Sequence, residues 1–324
     1  MNKIFAKDEA NAIPSLLNVA LPSTVNLFVN SRCNFHCKHC YATFQDIPGA
    51  KLPALSEEDA MAITRLIAEE RLPENTIARK ITFVGGEPTL CPFLPQLVSY
   101  AKSLGLVTAF ITNGTTATPR YLEQFTGILD WVGLSIDGLD KTMNGSIGRA
   151  TLAGQYLDEV RYLDRIASIK AIGARLKINT VVSALNWCSD FTSFILQARP
   201  VRWKILQVTP VTGQNDTAIK LLEIDQAKFD QFVVRHDGLN QSGIRVVAEP
   251  VETILGSYAM ISPDGRFFDS SEGRYFYSSR VLDVGLSNAF SEVAFDDAKY
   301  DGRDGNYDPF TGASRSTSEG LVNA

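Results

Sequence analysis

Residues 33–40 read CNFHCKHC: three cysteines spaced Cys-x3-Cys-x2-Cys, with His36 and His39 between them. Thiols this close together are a metal-binding pattern. The chain has 5 cysteines, an odd number, and most of them crowd into this loop. They are therefore not a disulfide framework, and a reducing cytoplasm is the expected compartment. Two inorganic groups suit such a loop. A structural zinc ion takes four ligands, usually from paired Cys/His knuckles well apart in sequence. His36 or His39 could complete that set, since His236, Cys91 and Cys188 each stand alone. An iron–sulfur cluster is held by closely spaced thiolates, and three thiolates on four irons leave one iron open to another ligand.

Three lysines form a second candidate set. Side chains alternate along a strand. In KITFV, Ile81 and Phe83 make one apolar face and leave Lys80, Thr82 and Val84 on the other. In RLKINTVV, Leu176, Ile178 and Thr180 alternate with Lys177 and Asn179; further on, Trp203 and Ile205 flank Lys204. If helices cover the apolar faces, Lys80, Lys177 and Lys204 all point inward. Three buried ammonium groups are costly and repel one another. A bound polyanion removes that cost, and a triphosphate is the natural candidate. It would not be held by a P-loop, because the chain has no GxxxxGK[ST] stretch. The alternative is that these lysines reach solvent near strand ends, or pair with Asp137 and Glu87.

The elements that must position both sets alternate between β-branched apolar runs and helical patterns. Strands are predicted at 24–30, 80–86, 107–114, 131–137, 175–182 and 204–211. Helical stretches fall near 93–104, 151–173, 190–199 and 224–237, and before them SEEDAMAITRLIAEE has Ser56 as its N-cap. Six β-α repeats read as an α/β fold with a parallel sheet, either doubly wound or an incomplete (β/α) barrel. The cysteines follow the first strand at its C-terminal end, where parallel α/β folds bind ligands. Gly85-Gly86-Glu87-Pro88 follows the second, and by itself is a tight strand-to-helix turn.

Beyond residue 240 the segments GIRVVAEP, SYAMISPDGRFFDS and VLDVGL suggest short strands joined by turns, with SNAFSEVAF as a last helix. The expected organisation is an N-terminal segment (1–23), a barrel (24–237), an extension covering the site (238–310) and a disordered Gly/Asp/Ser-rich tail (311–324). Residues 13–20 read as a short amphipathic turn packed on the domain. A net charge of −5 argues against a nucleic-acid polymer as partner, so any anion site must be local. No apolar run approaches the roughly 20 residues needed to cross a bilayer, and no membrane partner is expected.

The cysteine spacing after strand one and GGEP after strand two, in that order, resemble the radical S-adenosylmethionine (SAM) superfamily. His39 departs from it, standing where an aromatic residue usually precedes the third cysteine; its flat ring can cover a cluster. Within that superfamily, LKINTVVSALNW (176–187) and PVRWKILQVTPVTGQN (200–215) closely resemble the viperin family. So do IGR (147–149), SYAMISPDGRFFD (257–269), LDVG (282–285) and GRDGNY (302–307), in order across residues 24–307.

The resemblance implies an incomplete (β/α)6 radical SAM barrel. It would convert CTP, UTP or GTP to the 3′-deoxy-3′,4′-didehydro nucleotide, with a 5′-deoxyadenosyl radical taking the ribose 4′ hydrogen, in antiviral defence. It implies a 4Fe-4S cluster on Cys33, Cys37 and Cys40. SAM would meet Gly85, Gly86 and Glu87 through its amine and Ser135 and Arg149 through its carboxylate, with Asn113 near its ribose. Lys80, Lys177, Lys204 and Arg303 would contact phosphate, Asn179 would sit beside the nucleotide, and Tyr258 would be a hydrogen or proton donor. A one-electron donor such as a flavodoxin or ferredoxin is also implied. Thr82 and Val84 stand where animal viperins carry asparagine and serine, which puts part of the phosphate contact set in question. The long amphipathic helix of animal viperins is not matched, so membrane attachment is not carried over. The rival readings are a radical SAM enzyme acting on a peptide or another small molecule, and a non-catalytic metal-binding protein. With no cysteine after Cys188, the chain has none of the C-terminal cysteines that auxiliary clusters use.

Overall fold

The computed structural model describes residues 20–47, 53–74 and 76–314. Its strands are β1 (Thr24–Phe28), β2 (Lys80–Val84), β3 (Val107–Thr112), β4 (Trp131–Ser135), β5 (Arg175–Val182), β6 (Arg202–Gln207), β7 (Arg245–Glu249), β8 (Ala259–Ile261), β9 (Arg266–Asp269) and β10 (Phe276–Arg280). All ten join one sheet, ordered β10-β9-β8-β1-β2-β3-β4-β5-β6-β7. β1 to β7 run parallel, and β8 lies parallel on the other side of β1. β9 and β10 turn back antiparallel. The two ends of the sheet, β7 and β10, do not pair. The fold is an α/β incomplete barrel, which the six-repeat pattern allowed and the family resemblance implied.

The strand alternation decides which face the helices cover. Ile81, Phe83, Ile178, Trp203 and Ile205 are all fully buried in one core with Ile63, Leu97, Val98, Ile195 and Phe232 from the helices. Each such side chain gains about 1.5–3 kcal/mol from leaving water, which pins the register of its strand. Ser56 caps the helix Glu57–Glu69 by accepting from the Asp59 amide at 3.0 Å. The stretch expected to be helical from 151 is helical only over Glu159–Ala171. There Asp158 takes the N-cap, accepting from Arg161 N, and Gly154 turns the preceding chain at φ +74°.

Strand β6 starts at Arg202, two residues ahead of expectation, and β7 and β8 continue the parallel sheet at its two sides. The segment after the helix Asp297–Gly302 packs across the end of the interior where β1, β2 and β4 begin. Ser23 Oγ meets Tyr300 OH at 2.7 Å, Trp131 Nε1 donates to Pro309 O at 2.7 Å, and Arg202 Nη1 donates to Gly312 O at 2.8 Å. Residues 311–314, read from sequence as the start of a tail, are thus partly anchored; 315–324 and the amphipathic stretch 13–19 lie outside the described residues. No helix among the described residues is long and apolar enough to cross a membrane.

Candidate active site

The strand faces turned away from the helices enclose a cavity of about 1240 Å³, its open mouth included. His39 and Tyr41 of the cysteine loop line it, and so do Lys80, Lys177, Asn179, Lys204, Tyr258 and Arg303. All three lysines therefore face the interior, as the strand alternation requires.

The cysteine loop is clamped between two backbone contacts. Gly86 N donates to Asn30 O and Glu87 N to Arg32 O, both at 2.8 Å. A Cβ on Gly85 would sit 2.5 Å from Asn30 O, and one on Gly86 would sit 2.4 Å from Arg32 O. The glycines thus allow the turn after β2 to lie directly on the chain entering Cys33. On the other side, Lys38 N donates to Ile147 O at 2.9 Å and His36 N to Gly148 O at 3.3 Å. Gly148 has φ +84°, and a Cβ there would lie 2.4 Å from His36 O.

The three thiols gathered by these clamps are close enough to influence one another's charge. Burial pushes Cys33 up to about 11 and Cys37 to about 12, and raises Cys40. Arg149 Nη1 and Asn113 Nδ2 each come within 3.9 Å of a sulfur, Cys37 and Cys33 respectively. Among the described residues no three His, Cys, Asp or Glu groups converge tightly enough to hold a single ion. Three separate thiols with donors aimed at sulfur suit a four-iron cluster, in which each thiolate binds a different iron. They do not suit a lone zinc.

The other residues expected around SAM surround the loop, but their charges are already engaged. Glu87 is 1% exposed. Its Oε1 accepts from Thr112 Oγ1 and Thr89 Oγ1, both at 2.6 Å, and its Oε2 from Asn113 N at 2.7 Å. Burial raises its pKa even so. The side chain staples β2 to β3, which leaves the backbone of 85–87 as the part of this motif available to an amine. Arg149 Nη1 pairs with Asp137 at 2.8 Å and Nη2 donates to Ser135 O at 2.6 Å, while its buried Nε has no partner. Asp137 also faces His39 at 3.4 Å. Asp137 and Glu87 therefore do not neutralise the lysines.

At the other end the cations are held by groups that are far away in sequence. Lys80 Nζ bonds Tyr307 OH and lies 4.5 Å from that ring, while Arg202 stacks on the same ring at 4.0 Å. Lys204 Nζ pairs with Glu249, a fully buried carboxylate at the end of β7 that also meets Arg303 Nη1 at 3.5 Å and accepts from Tyr258 OH. Tyr258 OH accepts from Lys204 at 3.1 Å, and the Arg303 guanidinium stacks on its ring at 3.6 Å. Register sets Lys177 beside Arg202 and Asn179 beside Lys204. Gly133 on β4 lies against both Ile111 and Lys177: a Cβ there would stand 2.9 Å from Ile111 Cγ1 and 3.4 Å from Lys177 Cε. Lys177 makes no hydrogen bond or ion pair among the described residues. The buried Oδ1 of Asn179 has no partner.

Burial, reinforced by the neighbouring cations, lowers Lys80 to about 7 and Lys177 well below the ordinary lysine value. Burial also lowers Lys204 to about 8, against the pull of Glu249. Burial opposes the Glu249 carboxylate, but Lys204 and Arg303 overrule it and hold it at about 2. Glu249, Tyr307, Arg202 and Asp304 were not singled out from sequence. Arg202, Asp304 and Tyr307 lie within the quoted stretches 200–215 and 302–307 without being given a role, and Glu249 closes the apolar run of β7.

Residues 27–182 match the radical SAM superfamily. Over 309 residues the chain is 38% identical to an S-adenosylmethionine-dependent nucleotide dehydratase of Flammeovirga pacifica, covering 95% of this chain and 99% of that one. It belongs to the viperin family of radical SAM enzymes. Another family member, the S-adenosylmethionine-dependent nucleotide dehydratase of Lacinutrix mariniflava, is 40% identical over 289 residues. That match takes in 89% of this chain but only 58% of the relative, so the chain spans a little over half the length of that viperin-family protein. Among solved structures, Streptococcus suis SuiB bound to S-adenosylmethionine superposes with a TM-score of 0.63 at 16% identity, covering 87% of this chain and 68% of SuiB. At that identity the likeness speaks for the fold alone. Viperin-family membership implies SAM and a 4Fe-4S cluster as cofactors, and the three thiols fit that cluster.

Proposed function

We propose that the protein dehydrates a nucleoside triphosphate (CTP, UTP or GTP) to its 3′-deoxy-3′,4′-didehydro form in antiviral defence. The observation that carries the reading is one cavity with the cysteine loop at one end and, at the other, a cluster of inward lysines and arginines in which Lys177 has no hydrogen-bond or ion-pair partner among the described residues. The names of the viperin-family relatives support it. Cys33, Cys37 and Cys40 would hold the cluster, which with SAM supplies one-electron bond cleavage and a carbon radical able to take the ribose 4′ hydrogen. The backbone of Gly85, Gly86 and Glu87, with Asn113, Ser135 and Arg149, would seat SAM over the loop.

The chain's own work is to hold the ribose still and dry. Lys80, Lys177, Lys204 and Arg303 would take the phosphates, with Asn179 offering its unpartnered Oδ1 to a nucleotide donor. Fixing the charged end of the substrate fixes the sugar, and a misplacement of about 1 Å costs on the order of a hundredfold in rate. Loss of the 3′ hydroxyl as water and return of one electron and a proton complete the dehydration. Tyr258 is the candidate donor. Its one hydroxyl proton is directed to Glu249, so it delivers that proton only when this contact breaks, with Lys204 and Arg303 beside it to stabilise the phenolate. A flavodoxin or ferredoxin would supply the electrons, and the segment around 303–312 would close the phosphate end.

The test is an anaerobic assay of the iron-reconstituted protein with SAM and dithionite, adding each nucleoside triphosphate separately. A product lighter by one water, with 5′-deoxyadenosine far above the no-substrate control, supports the reading and names the base. Steady 5′-deoxyadenosine with every triphosphate intact overturns it.

A further inference from the structure

The phosphate end of the cavity carries a charge imbalance that bears on the ionic form of its ligand. Five cations meet there: Lys80, Lys177, Lys204, Arg202 and Arg303. Two carboxylates oppose these five basic groups, Glu249 and Asp304, and both already hold cations. Glu249 Oε1 is shared by Lys204 and Arg303, and its Oε2 accepts from Tyr258. Asp304 Oδ2 accepts from Arg202 at 2.7 Å, Arg245 at 3.4 Å and Ser314 Oγ at 2.7 Å.

Nucleotide sites that use Mg²⁺ hold it through one or two carboxylates together with the phosphates. Here Glu249 could reach a metal only by abandoning a buried cation, and stripping the partner from a buried charge is strongly destabilising, while Asp304 already balances Arg202 and Arg245. A divalent ion entering this water-poor end would also meet like charge from several sides, where Coulomb forces are weakly screened. We propose that the phosphate chain binds here as the metal-free anion, with Lys80, Lys177, Lys204 and Arg303 neutralising it in place of Mg²⁺. The inference rests on the reading of this cavity as a triphosphate site. It gives the unpaired Lys177 a reason to be there: it waits for a phosphate oxygen that no metal has claimed.

Isothermal titration under anaerobic conditions tests it without turnover. The titrants are CTP, UTP, GTP and inorganic tripolyphosphate, each in EDTA and again in excess Mg²⁺. The expected result is binding in EDTA that weakens about tenfold or more when Mg²⁺ sequesters the phosphates. Equal or tighter binding in Mg²⁺ overturns the inference and leaves the triphosphate reading standing. Failure of all four titrants in both buffers overturns both. Lys177→Met sharpens the result: removing one neutralising charge is expected to narrow the EDTA-to-Mg²⁺ ratio, whereas a merely structural lysine would weaken both arms equally.

Discussion

The two ends of the cavity are built on different principles. The cysteine end is a backbone construction, in which Gly85, Gly86 and Gly148 let main chain lie on main chain, and the hydrogen bonds that hold the loop run between amides and carbonyls. The cation end is a side-chain construction. Its charges come from β2, β5, β6, β7 and the 303–307 stretch, and are held by the hydroxyls and rings of two tyrosines and by two carboxylates. The first suits an inorganic group whose ligands must stay put whether or not it is loaded. The second is stable enough to fold yet short of negative charge, which suits a ligand that arrives and leaves.

If that division is sound, the two ends should fail separately. Cys37→Ala is expected to abolish the cluster, seen as lost iron and visible absorbance, while triphosphate affinity stays within about twofold because the two sets of side chains share no partner. A large loss of affinity in that variant would break the comparison. Lys177→Met should do the reverse. Its affinity for triphosphate is expected to fall about tenfold to a hundredfold, the scale of one charge-assisted hydrogen bond. Its melting temperature should rise, since a buried amine without a partner has gone. Gly148→Ala forces a left-handed backbone on a side chain that also meets His36 O, at a cost of about 1–3 kcal/mol. It should lower iron retention in reconstitution and leave triphosphate binding alone.

The smallest effect is the dependence on pH, and it has two opposite signs. Lys80 at about 7 and Lys204 at about 8 lose their protons between pH 7 and about 9, so triphosphate affinity should fall a few-fold over that range. Both values lie below that of a free lysine, so the unfolded chain binds more protons there. The ligand-free protein should therefore gain stability as pH rises through the same interval. Titration calorimetry and thermal melts at pH 7 and 9 would show both trends.

This contrast also explains what could be read from sequence. The cysteine end was legible because its determinants are contiguous: a Cys-x3-Cys-x2-Cys loop and a Gly-Gly turn each carry their geometry locally. The inward lysines were legible because strand alternation is a period of two, and Ile81, Phe83, Trp203 and Ile205 settle which face the helices cover. Glu249, Tyr307 and Asp304 were not, since their roles depend on partners such as Lys80, which is 227 positions from Tyr307. Likewise β7 and β8 looked like a separate extension. Their short apolar runs reveal strand character but not which sheet edge they join.

Gly133 ties the two kinds of reading together. A methyl group there would press on Ile111 Cγ1 at 2.9 Å and come into contact with the Lys177 stem at 3.4 Å. Positions 111, 133 and 177 therefore form a unit in descent. A lineage that grows a methyl at 133 must shrink or shift residue 111, and one that grows anything larger reaches the lysine stem as well. Such a linked change would mark, from sequence alone, the branches in which this cavity has turned to a different ligand.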